Sequence, residues 1–534
     1  MASHETCSTN RVASTGDVAA AFSEVDIARM LDRQGYAPEV RAVIERENLL
    51  PSGLLRRVQA CYPQHSSLLA TDPLLFADRK KYRGVAGFRE IVARLAAQGI
   101  DIGHLEERDL FIEVYRFMAT RHILNAIDWK NFATDPLFQL TFPQPGMIPG
   151  PVVDAYLAAG SPEARTRVAR AHMEQTNPHD GKQRLNRPWL DGENGGREFL
   201  EGSQHKYPQC QLVFDRTTQD CFAFCTYCFR HAQVRGDEDM FLQQDVAQVH
   251  RYLRQHPEVT DLLITGGDAG YMPASRFAEY ALPIISDPAL LHIRTIRFAS
   301  RVLSYDPVVV LSPRFQPMLD LFRQLCDHGI QLAFMAHFST PGELLNPSTI
   351  AAVRRLQRHG VTLRSQSPIM NHISLFMDER GQVDIDRTAR NWIDLGNLLA
   401  MLRIGFHSMY CARPTGEHHY FTAPLATLDE IYSRIHRSLA SINRPSRYLS
   451  MTTSAGKISI LGTAVVGGQK VFALKFTQAR NMAWMDRVFL AKYDERQNNV
   501  DLLEPFDAPE FFFREELREI ERSLAAVLQT GETR

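Results

Sequence analysis

A chain of 534 residues with 60 basic and 61 acidic side chains carries no net field to recruit nucleic acid or an anionic membrane surface. Hydrophobic residues at 44% and charged residues at 23% describe an ordinary soluble globular protein, and no apolar run reaches the ~18 residues needed to span a bilayer. The length allows two or more cores, although a barrel of roughly 250 residues counts as one.

The first residues, MASHETCSTNRVASTGDV, lack the basic and apolar regions of a signal peptide. Only eight cysteines are present and three fall in one motif, so no disulfide framework is expected and a cytoplasmic location suits the chain. Residues 1–127 read as a helical extension, with segments such as GFREIVARLAAQ. Residues 177–202, rich in Gly, Pro, Asn and charge, read as a loop or linker. From residue 207 onward short β-branched or apolar runs alternate with helical patterns, which predicts βα units and a parallel sheet. The expected strands are 211–214, 261–265, 293–299, 331–338, 362–367 and 403–410, enough for an open or partial barrel. Between them, Ser348 is expected to cap a helix whose face carries Ile350, Val353 and Leu356 and whose end is closed by Gly360. The tail 509–528 reads as an amphipathic helix packed on the domain, and no internal repeat is evident.

The most specific chemistry lies directly after the first strand, in DCFAFCTYCFRH, where Cys221, Cys225 and Cys228 are spaced C-x3-C-x2-C. Thiolates are the usual protein ligands of iron–sulfur clusters, and a four-iron cubane held by three of them leaves one iron open to a non-protein ligand. Closed structural zinc sites use four ligands, and no second cysteine pair with knuckle spacing occurs. After the second strand comes Thr265-Gly266-Gly267-Asp268, whose glycines would let a ligand approach the backbone while Asp268 accepts a hydrogen bond. Taken alone, such a glycine pair is more often a simple turn.

The cysteine motif resembles that of the radical S-adenosylmethionine (radical SAM) superfamily. YPQCQLVF, LLITGGD, FASR, MAHFSTPGEL, SQSPIMN and SAGKISILG occur in the order and spacing of the lysine 2,3-aminomutase family, and the likeness runs from about Asp128, through DWKNFATDPLFQLTFP, to about Gly468. The resemblance implies an α/β fold, a partial (β/α)6 TIM-like radical SAM barrel behind a helical N-terminal extension. Its expected divisions are 1–127, a family-like region and linker over 128–206, the barrel with its cofactor site over 207–475, and a helical or irregular segment over 476–534. It implies a [4Fe-4S] cluster on Cys221, Cys225 and Cys228, S-adenosyl-L-methionine on the open iron, and pyridoxal 5'-phosphate (PLP).

Position by position, Lys457 of SAGK resembles the lysine that bonds PLP covalently, a role suited to a desolvated amine. The family's longer glycine run before that lysine is here Thr453-Ser454-Ala455-Gly456. Lys206 and Tyr207 resemble contacts to the PLP phosphate, whereas Cys210 stands where the family has an arginine. Gly266, Gly267, Asp268, Ser300, His337 and Gln366 match positions lining the S-adenosylmethionine and PLP pockets. Arg230 resembles the arginine that grips the α-carboxylate of an amino-acid substrate, which a planar fork does well.

The departure that bears on substrate concerns its far end. Lysine-acting members hold the distal ammonium with two aspartates. Counted from Tyr410 and from Lys457, those positions become Arg413 and Ser450, with His418 and His419 as neighbours a register slip could bring in. A guanidinium there would repel an ammonium and favour a carboxylate, so a glutamate-like substrate is expected. The resemblance thus implies an isomerase that moves an α-amino group to the β-carbon, an external flavodoxin- or ferredoxin-type reductant and a homo-oligomer, with no nucleic-acid or membrane partner. The rivals are elimination, decarboxylation or PLP-independent hydrogen abstraction on the same machinery and, in another class, a non-catalytic iron–sulfur or electron-transfer protein.

Overall fold

Alternation of apolar residues with polar or small ones along each short run makes one strand face cohesive and leaves the other for something else. A computed structural model, describing residues 23–63, 68, 70, 72–78, 81–176, 186–191, 196–235 and 242–531, shows where each face goes. Two small antiparallel pairs precede the main sheet: β1 (Lys81–Arg83) with β2 (Met118–Thr120), and β3 (Trp189–Asp191) with β4 (Arg197–Phe199). They are additions to the expected helical extension and to the expected loop over 177–202, of which 177–185 and 192–195 lie outside the described residues. Residues 1–22, read above as lacking the regions of a signal peptide, lie outside them too.

The main sheet has eleven strands with sequence neighbours side by side. β5 (Ser203–Tyr207) pairs antiparallel with β6 (Cys210–Phe214). Then β7 (Asp261–Thr265), β8 (Thr295–Ala299), β9 (Gln331–Ala336), β10 (Thr362–Ile369) and β11 (Gly405–Cys411) follow in parallel, each beside the last. The single pair Tyr410–Ser450 joins β12 (Leu449–Thr452) in parallel. The sheet ends in an antiparallel run, β13 (Gly456–Val466), β14 (Gln469–Ala479) and β15 (Val488–Lys492). All six expected strands are present with ends shifted by a few residues, but the sheet is larger than six strands. The expected divisions at 206/207 and 475/476 fall inside β5 and β14, and residues expected to be helical or irregular after 476 supply the end of β14 and all of β15. A C-terminal helix, Arg514–Gly531, does follow, and its Leu517 is buried beside Phe511 and Phe513.

In β8 and β10 alternate residues are buried and the intervening ones half-exposed. The buried face packs under helices Gln316–Asp327 on β9, Pro347–Arg358 on β10 and Ile385–Met401 on β11. Phe298, for example, meets Phe277 and Phe322 edge-on and tilts against Phe334, a cluster in which truncating one ring costs about 3–5 kcal/mol. Ile350, Val353 and Leu356 are fully buried as expected, and Gly360 turns the chain out of the helix with a φ of 81°. The cap is different: Asn346 accepts the Ser348 amide at 2.9 Å, Pro347 takes the first helical position, and the Ser348 hydroxyl lies 2.6 Å from that of Tyr36. No described helix is long and apolar enough to cross a membrane.

Candidate active site

The half-exposed sheet face gathers the chemistry, because residues two apart on a parallel strand return to the same side. Each strand end delivers one group: Thr265 from β7, Ser300 after β8, His337 after β9, Gln366 from β10, Tyr410 from β11, Ser450 from β12 and Lys457 from β13. Two pairing irregularities occur in this region, one between Ser365 and Gln366 against β11 and one between Lys457 and Ile458 against β14. Such a bulge re-aims the side chain beside it. The tight turn before Lys457 is enforced by β14, since a Cβ on Gly456 would lie 2.3 Å from the Gln478 carbonyl oxygen.

The loop bearing Cys221, Cys225 and Cys228 is tied down by residues far away in sequence. The Phe224 amide donates to the Met118 carbonyl and the Thr226 amide to that of Leu140, while the Thr226 hydroxyl donates to Gln139 at 2.8 Å. Thus the region before residue 143 forms the bed of the cysteine loop. The thiols are close enough to act on one another: burial, then Asp268, Cys228 and Cys225, push the Cys221 thiol well above its ordinary range. Among the described residues no His, Cys, Asp or Glu group could hold a single metal ion; a cubane needs none, since each thiolate takes a separate iron. Cys225 Sγ lies 2.9 Å from the Tyr305 hydroxyl and accepts from Arg301 Nη1 at 3.3 Å.

The turn Thr265–Asp268 does something other than expected. A Cβ on Gly266 would fall 2.1 Å from Thr218 Oγ1, and one on Gly267 would fall 2.7 Å from the Asp220 carbonyl oxygen. The amides of Gly267 and Asp268 both donate to the Thr218 carbonyl. The glycines therefore admit the close approach of Thr218 and Asp220 from the cysteine loop. Asp268 accepts from the Gly270 and Arg301 amides at 2.8 and 2.9 Å and is raised to about 6 by burial. Its partner Ser300 accepts from the Val302 amide at 3.0 Å. His337 is held by the Tyr227 hydroxyl, 2.9 Å from Nε2, and burial and Arg301 keep its imidazole well below the ordinary range.

On the other side of the face lies a concentration of positive charge. Lys457 Nζ stands 5.0 Å from the centroid of the Tyr410 ring, and the Tyr410 hydroxyl donates to Gln366 Oε1 at 3.2 Å and to Ser408 Oγ at 2.9 Å. Ser450 pairs with Tyr410 across β11 and β12. Arg230 donates to Thr265 Oγ1 at 2.6 Å, and its guanidinium carbon lies 5.2 Å from the Phe229 ring centre. That of Arg413 lies 4.7 Å from the same ring. Burial and then Arg413 lower Arg230 to about 9, and burial lowers Arg413. His418 and His419 are exposed, whereas Arg413 acts electrostatically on Arg230 and Lys206. Lys206 bonds the Thr453 carbonyl, and burial followed by Arg480, Arg413 and Lys457 holds its ammonium well below the lysine range. The Tyr207 hydroxyl is buried without a hydrogen-bond partner, and burial raises it to about 12.

Two residues alter the expectation built on Cys210. Its thiol is buried and accepts from Arg297 Nη2 at 2.7 Å, and Arg297 is in turn paired with Asp261. Arg480, which sequence patterning did not single out, joins Lys206 at the turn before Lys457. A lone arginine just past a strand in a segment expected to be irregular carried no signal.

No family model matches the chain. It is similar to L-lysine 2,3-aminomutase of Clostridium subterminale, 25% identical over 269 residues, which are 50% of this chain and 58% of that protein. An Aquifex aeolicus (strain VF5) protein that bears the L-lysine 2,3-aminomutase name provisionally is 27% identical over 297 residues, 54% of this chain and 74% of its own. Glutamate 2,3-aminomutase of Clostridioides difficile (strain 630) is 25% identical over 170 residues, 32% of this chain and 37% of the relative. The chain thus spans less than two thirds of the length of two of these three relatives. The family read from the motifs is the one these homologues name, and their names describe isomerases.

Proposed function

We propose that the chain is a radical SAM, PLP-dependent 2,3-aminomutase acting on an acidic, glutamate-like amino acid. The homologues supply the class of reaction, and the observation that carries the substrate is a pair of cations: Arg230 and Arg413 both stand over the Phe229 ring, and among the described residues no carboxylate is ion-paired with either. The six parallel strands from β6 to β11, with the cysteine loop following the first, support the partial-barrel reading.

The residues present fit the implied groups. Three thiols on one anchored loop suit a cluster with one open iron, and a lysine beside a cationic, hydroxyl-bearing cradle suits a phosphorylated aldehyde. When bound, these groups supply a hydrogen-abstracting carbon radical and an electron-delocalising attachment for the amino nitrogen.

The chain's part is positional. Arg230 would hold the α-carboxylate and Arg413 the distal one, each by a planar fork. Lys457 would anchor the aldehyde, with Tyr410 fixed beneath it by Gln366 and Ser408. Buried walls such as Phe214 and Phe338 would keep water from a reactive centre. Division into an N-terminal extension, linker, barrel and C-terminal segment belongs to the same reading, as do a cytoplasmic setting, an external reductant of the flavodoxin or ferredoxin type and a homo-oligomer.

The test is anaerobic reconstitution with iron, sulfide and PLP, reduction in the presence of S-adenosylmethionine, and analysis of glutamate, aspartate and lysine by NMR. The expected result is 5'-deoxyadenosine together with a β-amino isomer of a dicarboxylic acid. Isomerisation of lysine alone would overturn the substrate class, a deaminated or decarboxylated product would overturn the reaction, and no 5'-deoxyadenosine would favour electron transfer.

A further inference from the structure

Resting on the PLP reading, a cofactor phosphate at the turn before Lys457 needs fixed donors whose charge is not already neutralised. Arg297 does not qualify, because Asp261 neutralises it and its remaining reach is spent on the Cys210 thiol. Arg480 does. It follows β14 directly, its amide donates to the Ala455 carbonyl at 3.0 Å, and Nε donates to the Ser454 carbonyl at 2.8 Å. Nη2 donates to Asn186 Oδ1 at 2.5 Å. All three acceptors are neutral, and a guanidinium has five N–H donors, so charge and donors both remain.

Lys206 bonds the carbonyl of Thr453, the residue next to Ser454. Arg480 is also the foremost charge acting on the Lys206 ammonium, so the two cations face the same stretch of backbone within electrostatic reach of each other. The unpartnered Tyr207 hydroxyl is adjacent to Lys206 in sequence and within electrostatic reach of Arg480. Among the described residues no carboxylate pairs with Lys206 or Arg480. Two neighbouring, partly buried cations and a buried hydroxyl without a partner among the described residues are costly unless an anion completes them.

We infer that Arg480 is a phosphate-binding residue of this site, acting with Lys206 and the Tyr207 hydroxyl, and that it also clamps the turn that presents Lys457. The clamp gives the residue a structural side, so its charge must be tested apart from its fold.

Wild type, R480K and R480Q are titrated with PLP and with pyridoxal, which lacks the phosphate, following the absorbance band of the bound aldehyde; inorganic phosphate serves as competitor. For R480Q, PLP affinity should fall about 10- to 100-fold with pyridoxal affinity within about threefold of wild type, and R480K should recover part of the loss. Phosphate should compete against PLP in wild type and less in R480Q. Equal loss of both aldehydes in R480Q and R480K would assign Arg480 to the turn alone and overturn the inference. Unchanged PLP binding in R480Q would overturn it too while leaving the cofactor reading intact. A wild type that binds neither aldehyde would overturn the cofactor reading, and this inference with it.

Discussion

Replacing Arg413 by glutamine isolates the charge on which the proposed acidic substrate depends. Arg413 is held by the Phe229 ring and lies near Arg230, Tyr207 and Tyr410, with its own basicity lowered by burial. A carboxylate about 4 Å from it would gain about 4 kcal/mol at an effective dielectric constant near 20, before desolvation. Hydrogen bonds to charged groups contribute about 1.5–3 kcal/mol net, so the loss on removing the guanidinium is bracketed at about 2–4 kcal/mol, or roughly 30- to 1,000-fold in kcat/KM. Glutamine is the control substrate, because it has the shape of glutamate without the distal charge. For wild type the ratio of kcat/KM for glutamate over glutamine should be large, and in R413Q it should approach one through loss on glutamate, with turnover measured as β-isomer by chromatography. If R413Q slows both substrates alike, Arg413 supports the pocket wall and has no hold on a carboxylate, and the acidic-substrate argument fails.

Three further outcomes test the frame of the site. Glu417 is almost fully buried and accepts from the Tyr115 hydroxyl at 2.7 Å while lying 2.6 Å from His172 Nε2, so E417A should destabilise the fold by about 2–4 kcal/mol in chemical denaturation; a change under about 0.5 kcal/mol would show that this network does not hold the loop after Arg413. G266A forces a Cβ into Thr218 at a φ of 141°, and should cut iron and sulfide content by more than half with far-UV circular dichroism retained; full iron loading would mean that the cysteine loop tolerates displacement. Burial raises Asp429 from 3.8 to about 6, so the stability tied to its bound proton is complete below pH 3.8 and lost as pH rises through 6. D429N should therefore stabilise the fold at pH 8 by about 1–2 kcal/mol after allowance for solvent screening, read in chemical denaturation, and leave stability unchanged at pH 4; the same gain at both values would refute a charge origin.

What was legible in the chain follows from range. Strand positions such as 261–265 depend on local alternation, and local alternation survives in the fold to the residue. Helix ends were less secure, because Asn346 and Ser348 are both good caps and Pro347 between them decides which one is used. The strands β13–β15 carry apolar runs of their own, such as Val471 to Leu474 and Val488 to Ala491, but they pair antiparallel and so lie outside the repeating βα pattern on which the strand reading rests. The two glycines after β7 have a second role that the sequence does not show: they let Thr218 and Asp220 approach closely, and no spacing rule reports an approach between residues so far apart in the chain. Arg480 was invisible for the same reason, since its meaning comes from Lys206 and Ser454 arriving beside it.

The distribution of charge ties these parts together. The chain as a whole is nearly neutral, yet Lys206, Arg230, Arg413, Lys457 and Arg480 are concentrated at one end of the sheet face. Of the acids that act on them, Asp501 reaches Lys206 but is engaged by Arg514, and Glu521 is a lesser influence on Arg480. Elsewhere the same fold neutralises buried arginines with care, as in Arg276 with Asp215 and Arg301 with Glu343. Acids are thus available to the fold as partners, and among the described residues none is ion-paired with these five cations, an arrangement shared by Arg108, which is buried on the carbonyls of Gly103, Pro143 and Ile102. An unbalanced cluster of this kind destabilises the empty protein and is relieved by anions; under the function proposed above, a phosphate at Lys206 and Arg480 and a carboxylate at each of Arg230 and Arg413 would bring that charge.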